Sequence, residues 1–290
     1  MRILLFGGRG YMGGQFLKIY PDAVVPSVDI ADSAAVARVL DAEKPDIVIN
    51  AAGKTGVPNV DWCEDNKIET LHSNVLGPLV LLEECQQRNI YWVHLSSGCV
   101  YSGDNEGRGF AETDEPNFTG SYYSRTKAVC ERALRDYPVL ILRLRMPFDS
   151  SPHPRNLLSK LTKFERVLDV PNSITYLPDF LVAAEKLIAK RSTGIYNMVN
   201  EGAISPYHIM ELYREIVDPT HWFERLLLDS LSQVVRAGRS NCVLSTEKLK
   251  GEGIAMRPIE EAARAALIEF KKSAKGSGKV GAANKNCIQC

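Results

Sequence analysis

A glycine-rich turn directly follows the first apolar run of the chain, and few folds accommodate that arrangement. The run RILLF at 2–6 leads into GGRGYMGG, where Gly7, Gly10 and Gly13 have GxxGxxG spacing. Such a turn can approach a pyrophosphate closely, and the free N–H groups of the following helix attract its negative charge. The turn therefore predicts a dinucleotide site at the start of a βα unit, although glycines at these positions also serve helix–strand packing.

Short apolar runs rich in β-branched residues recur along the first half of the chain. Between them lie segments with apolar residues three and four apart, as expected for helices that cover a sheet. The apolar runs are 2–6, 47–51, 91–96 and 138–144, and the helical segments are 33–43, 75–87 and 121–137. This alternation predicts an α/β fold, a Rossmann-type doubly wound parallel sheet with right-handed crossovers.

The alternation breaks after Met146 and Pro147. Helical patterns follow at 156–168, 205–217 and 258–271, with a strand-like run between the first two at 195–200. The predicted organisation is an NADP-binding Rossmann domain (1–146, with a returning strand near 195–200), a smaller, partly interleaved C-terminal substrate-binding portion (147–271), and a flexible, polar, glycine-rich tail (272–290).

The composition excludes several classes of partner. The 290 residues are 45% hydrophobic and 24% charged, which suits a globular chain with a large core. Thirty-five basic and thirty-five acidic residues leave no net charge, so nothing indicates a nucleic acid or an anionic membrane. Any anionic ligand must be held by local groups.

The termini and cysteines indicate the compartment. Met1 leads directly into the first apolar run without the features of a signal peptide, and no apolar stretch approaches about 18 residues. The seven cysteines are odd in number and mostly isolated, which favours reduced thiols. We expect a soluble, cytoplasmic protein. Cys287 and Cys290 form a lone CxxC in the polar tail, and we predict no metal site from it.

The segment after the first helix bears on the choice of dinucleotide. The strand-like AVVPS at 23–27 ends without an acid to bind a ribose 2′-hydroxyl, and Arg9 in the turn could meet a 2′-phosphate. NADPH is therefore favoured, with NADH as the alternative, although Arg9 would also suit a solvated surface. Asp29 and Ile30 are placed near the adenine, unless Asp29 caps the helix that starts near Asp32. The remaining expected cofactor contacts are Tyr11, Met12, Ala51, Ala52, Gly53 and Asn74.

A tyrosine and a lysine four residues apart provide candidate chemistry. Tyr123 and Lys127 share one face of the predicted helix, so the ammonium can approach the phenol. A nearby cation favours the phenolate and makes a tyrosine, with an ordinary pKa of about 10, a usable acid near neutral pH. With Ser97 at a strand end and the N-terminal glycines, this set resembles the short-chain dehydrogenase/reductase superfamily, extended branch. There, serine and tyrosine polarise a carbonyl and lysine holds the cofactor ribose.

Seven motifs in order narrow the resemblance. The chain from residue 1 to about 270 is similar to the eukaryotic nucleotide-rhamnose synthase 3,5-epimerase/4-reductases. The motifs are NAAGKTGVPNVDWCE (50–64), ETLHSNVLG (69–77), PNFTGSYYSRTKA (116–128), RLRMP (143–147), HPRNLLSK (153–160), VPNSIT (170–175) and RSN (239–241). The resemblance implies that a UDP- or dTDP-linked 4-keto-6-deoxy-D-glucose is converted to the corresponding nucleotide-L-rhamnose with NADPH. A homodimer is compatible with it.

The chemistry of such a substrate gives Cys99 a role. Hydrogens on C3 and C5 are α to the ketone, so groups that polarise the carbonyl for reduction also stabilise the enolate needed for inversion. Inversion further requires a base and an acid on opposite faces. Cys99 resembles the cysteine that GDP-fucose synthase uses at that position, and a thiol near cations can exchange protons around pH 7. The alternative is a small buried hydrophobe. The resemblance assigns the second group to Lys160, with His153 as its rival.

Other residues define substrate binding and the competing functions. Arg155, Asn156 and Arg239 are expected to bind the nucleotide diphosphate, because guanidinium forks match phosphate oxygens. Thr55, Ser97 and Cys99 complete the expected substrate contacts. A 4,6-dehydratase needs an acidic pair where this chain has Gly98 and Cys99, which disfavours dehydration. Two alternatives stay open, a reductase alone, like dTDP-4-dehydrorhamnose reductase, and a non-catalytic NADP-binding regulatory subunit.

Overall fold

The computed structural model describes residues 1–233 and 235–276, and its centre is a five-stranded parallel sheet. The described residues form seven strands, β1 (Ile3–Phe6), β2 (Ile47–Asn50), β3 (Tyr91–Ser97), β4 (Leu140–Leu144), β5 (Arg166–Leu168), β6 (Gly194–Asn197) and β7 (Glu224–Leu226). The sheet order is β1-β2-β3-β4-β6, and every adjacent pair is parallel. Strands β5 and β7 form a separate two-stranded parallel sheet.

Helices cover both faces of the central sheet. Successive side chains of a strand point to opposite faces, and both faces of these strands are apolar. In β1, Ile3 and Leu5 join one apolar core, whereas Leu4 and Phe6 join the other. The helices are α1 (Tyr11–Ile19), α2 (Ser33–Glu43), α3 (Asp61–Asp65), α4 (Lys67–Leu71), α5 (Gly77–Gln87), α6 (Tyr122–Leu134), α7 (Leu157–Leu161), α8 (Leu177–Ala189), α9 (Pro206–Ile216), α10 (Glu247–Gly251) and α11 (Ile259–Gly276). The predicted doubly wound α/β fold is confirmed.

Side chains at helix starts explain several of these boundaries. Asp32, Ser121 and Ser205 each accept a hydrogen bond from the backbone N–H three residues later, and so cap α2, α6 and α9. Segment 72–76, between α4 and α5, is a turn of π-helix. Segment 228–233 is a turn of 3₁₀-helix.

The order in which strands are added to the sheet changes side at β1. Val24 forms a single parallel bridge to Leu4 on one side of β1, while β2 pairs on the other side. Ligands of doubly wound sheets bind outside the carboxyl ends of the strands at such a switch point. The glycine turn after β1 and the Ala51–Gly53 segment after β2 therefore meet at the expected binding edge.

Three local predictions differ from the structure. The strand expected at 23–27 is reduced to the Val24 bridge, since Pro26 has no N–H to continue a ladder. The helix expected over 156–168 ends at Leu161, and Arg166–Leu168 is β5, because those residues pair with β7. Helix α11 continues to Gly276, into the range expected to be a flexible tail. The rest of that tail, with CIQC, lies outside the described residues.

A second core lies beyond the sheet. In this core, residues of the 146–176 segment pack against α9 and α11. The chain returns to the central sheet as β6 after the 146–176 segment and before α9. The division at Met146 into a cofactor domain and a substrate-binding portion stays a prediction. Within residues 1–233 and 235–276, the structure contains no helix that is long and apolar enough to cross a membrane.

Candidate active site

A cavity of about 300 Å³ opens at the carboxyl ends of β1, β2 and β3. Most residues predicted for the site contribute to its wall. Those lining it are Gly10, Tyr11, Met12, Ala51, Ala52, Gly53, Thr55, Ser97, Cys99, Tyr123, Lys127, Arg155 and Lys160. The cofactor turn, the candidate catalytic groups and two candidate substrate residues therefore face one space.

The glycine turn is built for close approach. Gly7 has a φ of 76°, and a Cβ there would lie 2.4 Å from the Ala52 nitrogen. A Cβ at Gly13 would lie 2.1 Å from the carbonyl oxygen of Gly7. Only glycine fits at either position. Gly10 is the N-cap of α1 and has no side chain to cover the helix N-terminus, so this edge of the cavity fits a pyrophosphate.

Arg9 and its neighbours lie at the outer end of this turn. Arg9 is exposed, and its Nη1 donates to Ser27 Oγ over 3.3 Å. Asp29 Oδ1 accepts from the N–H of Ala31, and Asp32, rather than Asp29, caps α2. Ile30 is buried against Gly77. Neither Asp29 nor Ile30 lines the cavity in the described part of the chain.

Asn74 supports the cavity from behind. Its Oδ1 accepts from the N–H of Lys54, and its Nδ2 donates to the Lys54 carbonyl and to Thr126 Oγ1. The side chain is fully buried and fixes the segment that follows Gly53. Asn74 therefore shapes the cofactor edge rather than lining it.

The serine, tyrosine and lysine come from two regular elements. Ser97 ends β3, and Tyr123 and Lys127 lie one turn apart on α6. Lys127 Nζ donates to the carbonyl of Leu95 over 3.2 Å. Because the ammonium is buried, the pKa of Lys127 is lowered from its ordinary value. The three side chains are each less than a tenth exposed yet border the cavity.

Cys99 lies in the turn directly after Ser97. Its N–H donates to Ser97 Oγ over 3.2 Å, and it packs with Tyr123 and Cys63 in a small buried cluster. Nη1 of Arg145 donates to its Sγ over 3.1 Å. The cysteine therefore combines a buried position, a place on the cavity wall and a neighbouring cation.

The opposite wall of the cavity comes from the 153–160 segment. Arg155 Nη1 donates to Thr55 Oγ1, which joins the two candidate substrate residues across the opening. Lys160 follows on α7 and is half-buried at the cavity wall. With Lys127, these side chains give the cavity three cationic groups, as a local anion site on a neutral chain requires.

His153 lies apart from the cavity lining. Its ring stacks on Tyr11 with centroids 4.4 Å apart, and its Nδ1 accepts from the N–H of Arg155. Burial raises the pKa of Tyr11 far above its ordinary value, and the Tyr11 hydroxyl has no hydrogen-bond partner among the described residues. Between the two rivals, Lys160 is the one that lines the cavity in the described chain.

Two predicted phosphate ligands have other partners. Asn156 is fully buried, caps α7 through the N–H of Leu158 and donates to Asp149. Arg239 donates to both carboxylate oxygens of Asp61, at 2.8 and 3.0 Å. Neither side chain is part of the cavity wall as far as the structure describes it. Their polar groups instead fix the loops around the opening.

Some site residues were missed by sequence reasoning. Arg145, which contacts Cys99, belongs to the RLRMP motif, but a motif does not say where its side chains point. Ser27, the partner of Arg9, follows Pro26 in a segment without strong periodicity. The apolar wall formed by Leu144, Met146 and Leu157 lacked any chemical signal.

Comparison with known proteins identifies the family. Residues 1–272 match the family model described as RmlD substrate binding domain. The chain belongs to the RmlD substrate-binding family. This membership confirms the resemblance inferred from the ordered motifs.

Individual members of the RmlD family are similar over nearly the whole chain. The bifunctional dTDP-4-dehydrorhamnose 3,5-epimerase/dTDP-4-dehydrorhamnose reductase of Arabidopsis thaliana is 38% identical over 278 residues, 92% of this chain and 91% of the relative. The crystal structure of the L780 UDP-rhamnose synthase from Acanthamoeba polyphaga mimivirus has a TM-score of 0.88 at 31% identity, and covers 93% of this chain and 99% of that one.

A more distant RmlD-family structure supports the fold alone. The dTDP-4-dehydrorhamnose reductase from Bacillus anthracis, solved in complex with NADP, has a TM-score of 0.78 at 21% identity. It covers 93% of this chain and 99% of that one. The doubly wound sheet is thus shared well beyond close relatives.

Proposed function

We propose that the chain is a bifunctional NADPH-dependent 3,5-epimerase/4-reductase. Its substrate is UDP- or dTDP-4-keto-6-deoxy-D-glucose, and its product is the corresponding nucleotide-L-rhamnose. One observation carries the proposal: a reducing set (Ser97, Tyr123 and Lys127) and a proton-exchanging pair (Cys99 and Lys160) line the same cavity. An enzyme that only reduces the keto sugar would not need Cys99 and Lys160. The activities of the Arabidopsis and mimivirus relatives support the same choice.

The residues at the glycine turn fit NADPH. Gly7 and Gly13 leave room for the pyrophosphate against the N-terminus of α1. Arg9 and Ser27 offer donors for a 2′-phosphate, and Lys127 holds the ribose near Tyr123. When bound, the cofactor supplies the hydride that reduces C4.

The side chains around the carbonyl serve both reactions. Ser97 and Tyr123 polarise the C4 oxygen, and Tyr123 donates the proton that the oxygen gains on reduction. The same polarisation stabilises an enolate while a proton leaves C3 or C5. Cys99 and Lys160 then exchange protons with these carbons from opposite faces.

We assign substrate anchoring to the cationic rim, which is the part of the cavity wall that carries Arg155 and Lys160. Arg155, held by Thr55, is the residue proposed to meet the nucleotide diphosphate at the cavity mouth. Asn156 and Arg239 act by fixing the neighbouring loops through Asp149 and Asp61. We propose that this rim belongs to the substrate-binding portion, 147–271.

The cellular setting forms part of this proposal. The five described cysteines, which are Cys63, Cys85, Cys99, Cys130 and Cys242, are buried and form no disulfide, which agrees with a reducing cytoplasm. A homodimer stays a prediction. Sedimentation of the purified protein measures its assembly state.

The test uses purified protein, NADPH and each 4-keto-6-deoxyglucose nucleotide. We expect nucleotide-L-rhamnose to form without an added epimerase, with NADPH consumed in equal amount. If product forms only from substrate that a separate enzyme has already epimerised, the chain is a reductase without epimerase activity. Absence of NADPH oxidation with either substrate would contradict an enzymatic role.

A further inference from the structure

We propose that Arg145 is a positioning residue that holds Cys99 as the thiolate, so that Cys99 begins epimerisation as the base. The proposal rests on the proposed function and names the direction of its proton transfer. Arg145 is 1% exposed and does not line the cavity in the described chain, so it acts through the cysteine and not on the substrate.

The guanidinium is fixed at three points. Nη1 donates to Cys99 Sγ over 3.1 Å. Nη2 donates to Asn172 Oδ1 and to the carbonyl oxygen of Ser240. Asn172 belongs to the VPNSIT motif, Ser240 belongs to the RSN motif, and Cys99 lies in the turn after β3, so three segments far apart in the sequence meet around this side chain. Such a convergence specifies the orientation of the cation toward the thiol.

Gly98, in the turn that carries Cys99, lies beside Leu244 and the Arg145 side chain. A Cβ at Gly98 would lie 2.7 Å from Leu244 Cδ1 and 3.4 Å from Arg145 Cδ. The Gly98 carbonyl also accepts from Cys242 Sγ over 3.3 Å, which holds the other side of the turn. A larger residue at 98 would clash with Leu244, whereas its Cβ would only touch the Arg145 stem.

Buried thiols elsewhere in the molecule show why a cation matters. Burial raises the pKa of Cys85 and of Cys130 to about 12, so neither thiol ionises at neutral pH. Cys99 is 8% exposed, so burial also acts against its charged form. An arginine stays charged under all these conditions, and a charge at hydrogen-bond distance favours the thiolate strongly.

Other titratable groups also face Cys99 and enter any pH profile. Helix α6 contributes Tyr123 and Lys127, α3 contributes Cys63, and the strand-like segment after Ser240 contributes Cys242. Across the cavity lie Lys160 of α7 and Arg155. Burial raises the pKa of Cys242, with Arg145 acting in the opposite sense. Among these groups, Arg145 donates a hydrogen bond to Sγ through its Nη1.

The proton inventory then follows. The Cys99 thiolate removes the proton from C5 or C3, and the electrons of that C–H bond become the enolate, whose charge lies on the C4 oxygen between Ser97 and Tyr123. The Lys160 ammonium returns a proton to the same carbon from the opposite face. The carbon is inverted, with Cys99 a neutral thiol and Lys160 a neutral amine. Proton exchange with solvent restores both for the next carbon.

The experiment titrates the thiolate directly. Ultraviolet thiolate absorbance is followed against pH for the wild-type protein and for Cys99→Ser, and their difference reports Cys99. We expect a wild-type midpoint below that of a free thiol, about 8.5. We expect Arg145→Gln to raise the midpoint by about one unit, which lowers the thiolate fraction at pH 7 by up to about tenfold. Arg145→Lys restores part of the shift because it keeps the charge.

Activity separates positioning from folding. Arg145→Gln should slow solvent deuterium exchange at C3 and C5 at pH 7 in proportion to its lower thiolate fraction, with recovery at higher pH, while reduction of pre-epimerised substrate continues. An unmoved midpoint in a variant that still reduces this substrate would overturn the proposal. If Arg145→Gln does not fold, a wild-type midpoint at or above 8.5 overturns it and a lower one supports it. Failure of both keto sugars to react would refute the proposed function and leave the titration result standing.

Discussion

Two buried arginines, two residues apart in the chain, have different chemical partners. Arg143 in β4 donates to the Glu131 carboxylate through Nε and Nη2, at 3.2 and 2.6 Å, and Ser96 donates to the same carboxylate. Arg145, just beyond the strand, donates to the Cys99 thiol. Both arginines are 1% exposed. The first couple is called the interior pair below and the second the thiol pair.

The difference separates a stabilising contact from a reactive one. In the interior pair a carboxylate and a guanidinium neutralise each other. In the thiol pair the partner can gain or lose its proton near neutral pH, and it borders the cavity. The same residue type therefore stabilises the sheet at one position and prepares a base at the other.

The largest expected effect concerns the interior pair. Glu131→Gln leaves the Arg143 charge buried without its counter-charge, and we expect the free energy of unfolding to fall by about 3–5 kcal/mol. Denaturant unfolding followed by circular dichroism measures it. Glu115→Gln removes an exposed partner of Arg132 and Arg135, and is the control with no measurable change. Equal effects of the two substitutions would mean that burial does not distinguish these ion pairs.

The next effect concerns catalysis beside the thiol pair. Tyr123→Phe removes the proposed proton donor to C4, so turnover should fall about 100-fold or more while NADPH binding is retained. Steady-state kinetics and cofactor titration measure the two properties. Tyr122→Phe is the matched control, because the Tyr122 ring packs beside Lys67 and Arg125 and does not line the cavity in the described structure. Near-normal turnover of the Tyr123 variant would remove it from the mechanism.

A smaller effect is expected from a histidine in the interior. His94 is fully buried between Asn50 Nδ2 and Cys130 Sγ, and burial holds its pKa well below 6.5. Below pH 6.5 the unfolded chain binds a proton that the folded chain does not. The free energy of unfolding should therefore decrease by up to about 1.4 kcal/mol for each unit by which the pH is lowered below 6.5.

Unfolding at several pH values tests this slope. His94→Asn should reduce the slope below pH 6.5, while the same substitution at the exposed His208 is the control. An unchanged slope in the His94 variant would mean that another group causes the acid sensitivity.

Parts of the site with a local cause were predictable. The Tyr123 and Lys127 spacing fixes one helix face whatever the surroundings, and the Gly7–Gly13 turn is set by backbone geometry. Alternating apolar runs gave the sheet and its helices for the same reason. In each case the information lies within one turn or one strand.

Features that depend on distant partners could not be derived. RLR does not reveal that Arg143 meets Glu131 while Arg145 meets Cys99. Arg239 was expected at a phosphate, but its fork is occupied by Asp61, 178 residues away in the chain. The sequence of β5 predicts a helix, because the strand that pairs with it, β7, comes much later in the chain.

The most direct test of the whole account is solvent deuterium incorporation at C3 and C5 by Cys99→Ser. The serine keeps the turn and leaves Ser97, Tyr123 and Lys127 in place, but its hydroxyl is too weak an acid to replace the thiol. We expect incorporation to fall about 100-fold or more, while substrate already epimerised by a separate enzyme is still reduced at a substantial fraction of the normal rate. Undiminished incorporation would contradict the account and return Cys99 to a packing role beside Arg145.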